Sequence, residues 1–336
     1  MLSNVKNNPT LIRIQRLKKY SFLIGFLLLI FVIYKLDLNI IYLSFQKINY
    51  RLLIPAIFLI IPIIFIKSWR WNYLKKLQKI NYKLRDSFLI YSIGSAIGSL
   101  TPGRLGEISR IIYLKNDGYS TGQSLVSVIM DRLLDLFFLI IFGYFGIIFL
   151  FGFFEKITFV FSIVVLTIII LSFIAKKQFV HKFIKKIFSI LIPFKYQKSW
   201  QINFQDFLKE VKIYNKKNYF YLLLITFLAW SVYYCQIYLF AKSINIDNVP
   251  FFYLAMTVTV AGFVTLLPIS FSGIGTRETT LAILLSPLMV NIELIVLLSE
   301  LILLSFFSMT IMGALCWIIK PISLTKIFSN KITKKS

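Results

Sequence analysis

Nine ionisable residues stand inside long apolar stretches of this sequence: Arg104, Glu107, Arg110, Asp131, Arg132, Asp135, Arg277, Glu278 and Glu300. An ionisable group within a bilayer costs about 2.5–3.5 kcal/mol on insertion scales, so each is expected to face a cavity or a partner. Arg104, Glu107 and Arg110 recur every third residue, which places them on one face of a short helix. Two readings stand side by side. In one, Arg104 and Arg277 bind an anionic group such as a phosphate, and Glu107 and Glu278 balance them or take an amine or a sugar hydroxyl. In the other, Glu107 and Glu278 neutralise Arg132 and neighbouring arginines as buried pairs. Arg132 also has Asp135 three residues on, a partner on its own helix. Glu300 follows Glu278 by 22 residues, much as Asp131 follows Glu107 by 24, and it is expected to face the same cavity.

These residues cluster around two stretches rich in helix breakers. GSAIGSLTPGRLGEISR at 94–110 packs one proline and four glycines into 17 residues, and LLPISFSGIGTRET at 266–279 has the same character. Pro102, Gly103 and Gly106 in the first, and Pro268, Ser270, Gly273 and Gly275 in the second, let backbone approach a ligand and leave free amides that can cradle an anion. Gly94 and Gly98, at GxxxG spacing, are expected to serve close helix packing.

The chain around them is 58% apolar and 15% charged, with a mean hydropathy of +0.79; a soluble domain carries roughly 25% charge. This composition belongs to an all-α polytopic membrane protein. The 38 Lys and Arg against 13 Asp and Glu lie between hydrophobic runs, so they read as topology signals and contacts for anionic lipid headgroups, and not as a nucleic-acid face. Cys235, Cys316 and the lone His181 show no metal-ligand spacing, and neither metal nor cofactor is expected.

Six runs read as spanning segments: 20–36, 52–66, 120–153, 157–175, 219–241 and 290–319. The interrupted segments 88–114 and 251–286 read as re-entrant hairpins, since arms of about 13 and 11 residues in the first reach only roughly 20 and 17 Å of a core about 30 Å thick. With both hairpins re-entrant, 29 basic residues fall on one face and five on the other, which by the positive-inside rule makes that face, and both termini, cytoplasmic. That count includes seven bases at 67–85, where mixed aromatics mark a membrane interface. The organisation is then an N-terminal helix with flanks (1–51), a first unit (52–153), a connecting span with a basic amphipathic linker (154–218), a second unit (219–319) and a basic tail (320–336). The two units enter from opposite sides, an inverted-topology repeat of the kind that sets broken helices tip to tip near the midplane.

PGRLGEISR at 102–110, VIMDRLLD at 128–135 and PISFSGIGTRE at 268–278 resemble, in order, the motifs of the flippase-like transmembrane region of lysylphosphatidylglycerol synthases. The resemblance covers nearly the whole chain and implies a multi-pass protein of a prokaryotic cytoplasmic membrane that moves a phospholipid or a lipid-linked sugar between leaflets. The soluble aminoacyl-transferase domain of the full synthases has no counterpart after the last run, so lipid aminoacylation is not implied. A small-solute or ion transporter, and a membrane transferase using Glu107 or Asp131 as a base, stay open as alternatives, and a homo-oligomer is compatible with all three.

Overall fold

The structure, a computed structural model, describes residues 48–99, 101–151, 213–265, 273 and 275–321. The expected spans at 20–36 and 157–175, the amphipathic stretch 178–192, Pro268, Ser270 and the tail beyond Pro321 lie outside the described residues. The described chain is helical without strands, in the order α1 (Tyr50–Phe58), α2 (Ile60–Leu77), α3 (Leu84–Ser99), a 3-10 segment (Pro102–Ser109), α4 (Arg110–Asn116), α5 (Thr121–Phe151), α6 (Lys216–Ser243), α7 (Phe251–Val264), α8 (Thr276–Leu285), a 3-10 turn (Ser286–Leu288) and α9 (Ile292–Ile319). Four helices among them are long and apolar enough to cross a membrane: Tyr50–Leu77, Gly122–Leu150, Lys217–Ser243 and Ile292–Ile319.

Local chemistry sets the ends of these elements. Asn49 caps α1 by accepting from the Arg51 amide at 3.1 Å, and Asn215 caps α6 by accepting from the Asn218 amide at 2.9 Å. The first long span of each unit stops in the same way: Lys79 (φ 60°) and Asn245 (φ 62°) turn left-handed, and the next amides, of Ile80 and Ile246, reach back to the carbonyls of Lys75 and Ala241 at 2.9 and 3.0 Å. Both isoleucines are buried, completing the hydrophobic contact of that motif. Pro55 lies inside α1, and the α1–α2 junction at Leu59 absorbs the break while the pair still runs on as one span.

Packing crosses between the two units. Each hairpin's first helix lies against the last span of the other unit, α3 on α9 and α7 on α5, while the first spans α2 and α6 lie against each other. On the α3–α9 seam a Cβ at Gly313 would come within 2.3 Å of the Ala96 Cβ and 2.5 Å of the Ser92 carbonyl oxygen, so only glycine allows this approach. Ser99 and Thr310 hydroxyls meet across the seam at 2.7 Å, and its end is latched where Lys320 Nζ meets Asp86 at 2.8 Å and the Tyr113 hydroxyl donates to the Lys320 carbonyl at 2.9 Å. Two large apolar clusters result, one around α6–α9 and one around α2–α4, and Phe306 of α9 packs against both.

Several bases and aromatics of the 67–85 stretch turn into the protein. Arg70, Trp71 and Lys75 are wholly buried, and Lys75 Nζ stands 3.8 Å from the Trp71 ring and 4.1 Å from the Tyr82 ring while donating to Ser87 Oγ at 2.8 Å. The span therefore runs on to Leu77 instead of ending at 66, because its bases find aromatic and anionic partners inside the protein. The seam yields a first prediction: Gly313→Val should cost about 1–3 kcal/mol by overpacking and lower the unfolding temperature in detergent, whereas Ala314→Val on the exposed face of α9 should leave it unchanged.

Candidate functional site

The charges of the first hairpin are knitted into one chain of ion pairs. Lys67 meets Asp135 at 3.1 Å; Asp135 meets Arg70 at 2.9 Å; Arg70 meets Asp131 at 2.8 Å; Asp131 meets Arg110 at 3.0 Å; Arg110 meets Glu107 at 3.0 Å; and Glu107 meets Arg132 at 2.7 Å. Four cations thus alternate with three carboxylates across α2, α5, the 3-10 segment and α4. Arg70 is saturated: Nε donates to Asp131 Oδ1, Nη1 to Asp135 Oδ1 and Thr226 Oγ1, and Nη2 to Asp135 Oδ2 and the Asp131 carbonyl, all at 2.9–3.1 Å. The two parallel bonds to Asp135 are the strong fork geometry of a guanidinium on a carboxylate.

The backbone of the hairpin is shaped to bring these charges in. The break expected at Thr101 to Gly103 is present, and the segment that follows is a 3-10 helix whose threefold repeat aligns Glu107 with Arg110. Arg104, at its start, takes a left-handed backbone (φ 55°). The tip is closed by the Gly106 amide donating to Thr101 Oγ1 at 2.7 Å. A Cβ on Gly94 would fall 2.5 Å from Arg110 Cγ, and one on Gly98 would fall 2.6 Å from Glu107 Cγ. The GxxxG spacing of α3 therefore makes room for two charged side chains of its own hairpin, a correction to its reading as a helix-packing motif.

Arg132 pairs with Glu107 and not with Asp135, which Arg70 and Lys67 take instead. The helix-local partner loses because Arg70 offers Asp135 two hydrogen bonds from a fully buried position. Arg70, Lys67 and Thr226 are members of this network that sequence reasoning missed. A signal existed, since Lys67 and Arg70 lie three apart on one span and Asp131 and Asp135 four apart on another, so both pairs present matched faces.

In the second hairpin, Glu278 Oε2 accepts from the Gly275 amide at 2.6 Å and so caps its own helix. Arg277 Nη2 meets Glu278 Oε1 at 3.1 Å, and Ser299 Oγ joins the pair, accepting from Arg277 Nε at 2.5 Å and donating to Glu278 Oε1 at 2.5 Å. The third guanidinium nitrogen, Nη1, is buried and has no hydrogen-bond partner among the described residues. Gly273 and Gly275 both sit at φ 83°, a backbone that favours glycine.

Arg277 lines a cavity of about 60 Å³ together with Tyr233, Thr265, Phe306 and apolar residues of α7, α8 and α9. Arg104 of the first hairpin lies over the Phe306 ring, its guanidinium carbon 5.1 Å from the ring centroid, and makes no ion pair among the described residues. The two motif stretches therefore converge on Phe306. Glu300 is exposed on α9 and does not line this cavity. Glu293 lies in the first turn of α9.

Loss of the central cation should be costly. Arg70→Met leaves Asp131 and Asp135 short of partners and is expected to destabilise by about 3–5 kcal/mol, read as thermal unfolding in detergent. Thr226→Val removes one of Arg70's acceptors and should cost about 1 kcal/mol; comparable losses for the two would contradict the network's weight.

Compared with known families, residues 20–320 match the lysylphosphatidylglycerol synthase TM region. No curated protein and no solved structure gives a significant match. With that match spanning nearly the whole sequence over an all-helical fold with membrane-crossing helices, the chain belongs to the lysylphosphatidylglycerol synthase transmembrane-region family as an integral, multi-pass membrane protein.

Proposed function

We propose that this protein is a lipid translocase in which Arg104 and Arg277 take the phosphate of a phospholipid or lipid-linked headgroup at mid-depth while the tails stay in the bilayer. The observation that carries the reading is the convergence of these two arginines, 173 positions apart in the chain, on Phe306. They are also the motif cations with capacity to spare: Arg104 has no ion pair among the described residues and Arg277 keeps a free donor, whereas Arg70 and Arg110 are saturated by carboxylates. Glu107, Arg110, Asp131, Arg132 and Asp135 then act by holding the first hairpin in place.

The inverted repeat fits the exchanged pairing of α3 with α9 and α7 with α5, and the matching ends of α2 and α6. Helices of 16 and 14 residues, α3 and α7, reach about 24 and 21 Å, short of the core, as re-entrant arms should. With the basic face cytoplasmic, its exposed lysines contact anionic lipid headgroups. The 60 Å³ cavity has room for a few waters but is well below the roughly 300–1,000 Å³ of sites that enclose a small-molecule ligand, so this conformation is the occluded one.

The test is transport by the full chain in vesicles, with a fluorescent phosphatidylglycerol followed between leaflets and by mass spectrometry. Lipid should cross with its mass unchanged, and Arg277→Gln and Arg104→Gln should each slow crossing about tenfold or more, the loss of one or two charge-assisted contacts. A changed mass would identify a transferase. Full-rate crossing by both variants would remove the phosphate assignment.

A further inference from the structure

On the outward side of α2 and α3 the structure has a groove of about 500 Å³, lined by Ile61, Pro62 and Phe65 of α2 and by Leu84, Arg85 and Phe88 of α3. Its walls follow from the packing beneath it. Ile60 and Ile64 turn inward onto Leu89, Ile90 and Ile93, which leaves the neighbouring positions of both helices as two outward edges. Phe65 and Phe88 meet between these edges with ring centroids 6.4 Å apart, and Pro62 sets a short ring where a longer apolar side chain would fill the space. Five of the six lining residues are apolar, and the volume falls within the roughly 300–1,000 Å³ of sites that take a small ligand.

The groove opens toward hydrocarbon. Along this span the exposed side chains follow one another at three- and four-residue steps, Tyr50, Ile54, Phe58, Ile61, Phe65 and Trp69, the outward stripe of a helix in lipid. The stripe ends on a tryptophan, a residue type enriched where hydrocarbon gives way to headgroups. Arg85 belongs to that same end of the span, because it is the second residue of α3 and only residues 78–83 separate α3 from the end of α2. It is exposed and makes no ion pair among the described residues, and its neighbour Asp86 is taken by Lys320 at 2.8 Å.

We propose that this groove is a binding site for one anionic phospholipid of the leaflet on that side, with an acyl chain between α2 and α3 and the headgroup phosphate on Arg85. An amphiphile with a hydrocarbon tail and a negative head matches both parts of the groove. Lys83 is also exposed, two residues before Arg85, so the rim favours a net negative headgroup over a zwitterion, whose own ammonium offsets the attraction. The apolar run 20–36 is a poorer occupant. Its flank on the basic face carries Lys6, Arg13, Arg16, Lys18 and Lys19, which repel Arg85, and the one acidic residue before position 48, Asp37, follows the opposite end of the run. The site is distinct from the Arg104 and Arg277 chamber and stands whether or not the protein moves lipid.

The experiment places the full chain in phosphatidylcholine nanodiscs with a trace of phosphatidylglycerol, or of phosphatidylcholine, that carries a photoreactive diazirine in one acyl chain; adducts are mapped by mass spectrometry after illumination. Wild type should be labelled at 61–65 and 84–88, about fivefold more by the phosphatidylglycerol probe than by the phosphatidylcholine probe, as one surface cation warrants. Arg85→Gln should abolish that preference, and Arg85→Lys should keep most of it. Lys76→Gln, which removes an exposed base from the same end of α2 but outside the groove, should leave the labelling as in wild type. Absence of adducts in the groove, the result if segment 20–36 or a second copy covers it, would overturn the proposal. Equal labelling by the two probes would also overturn it, as would a loss in Lys76→Gln matching that in Arg85→Gln, which would reduce the effect to diffuse surface charge.

Discussion

Charge neutralisation inside the apolar body is the constraint on which the rest of this structure depends. Moving charged side chains out of water costs several kcal/mol each even after relaxation, and that cost is offset only where geometry is good and the remaining donors are satisfied. The alternation from Lys67 to Arg132 meets this condition: every carboxylate bridges two cations, and Arg70 uses all five donors. It adds to the burial of Ile111, Tyr113 and Leu114 in holding the 3-10 segment and the short α4 against the body of the protein. The first hairpin is thus held by electrostatics from α2 and α5, and the second largely by its own Glu278 cap and by Ser299.

On the proposed reading, this asymmetry separates holding from binding: the saturated arginines hold, while Arg104 and Arg277 Nη1, which has no hydrogen-bond partner among the described residues, bind. Between them stands Phe306, the residue common to both large apolar clusters. The α3–α9 seam leaves no slack at Gly313 and is latched at Lys320, so any opening of the chamber must part the walls on the α6 and α7 side, where Tyr233, Thr265 and Gly262 line it.

Much of this was legible from residue types. Pro102 with Gly103, and the glycines before Arg277, mark breaks that the helices respect, and the apolar runs at 120–153, 219–241 and 290–319 recur as α5, α6 and α9 within a few residues. What was hidden is partnership across helices. Asp135 at i+3 is visible from Arg132, but Arg70 is 65 positions away, and nothing in one sequence announces that α2 and α5 share that face. Arg70 and Lys75 were hidden for a related reason: bases mixed with tryptophan and tyrosine look the same at a membrane interface and where a buried ion pair or an aromatic cage holds them. Gly94 and Gly98 show the limit of spacing rules, because the side chains that need the room, Arg110 of α4 and Glu107 of the 3-10 segment, are charged and belong to the same hairpin.

The most direct test of the convergence of the two hairpins is to replace Phe306 by the photoreactive analogue benzoylphenylalanine, illuminate the full chain in nanodiscs and map the adducts by mass spectrometry. The account predicts cross-links from position 306 both to the stretch around Arg104 and to the α7–α8 stretch around Thr265 and Arg277. Cross-links to only one of the two, or to lipid alone, would contradict it.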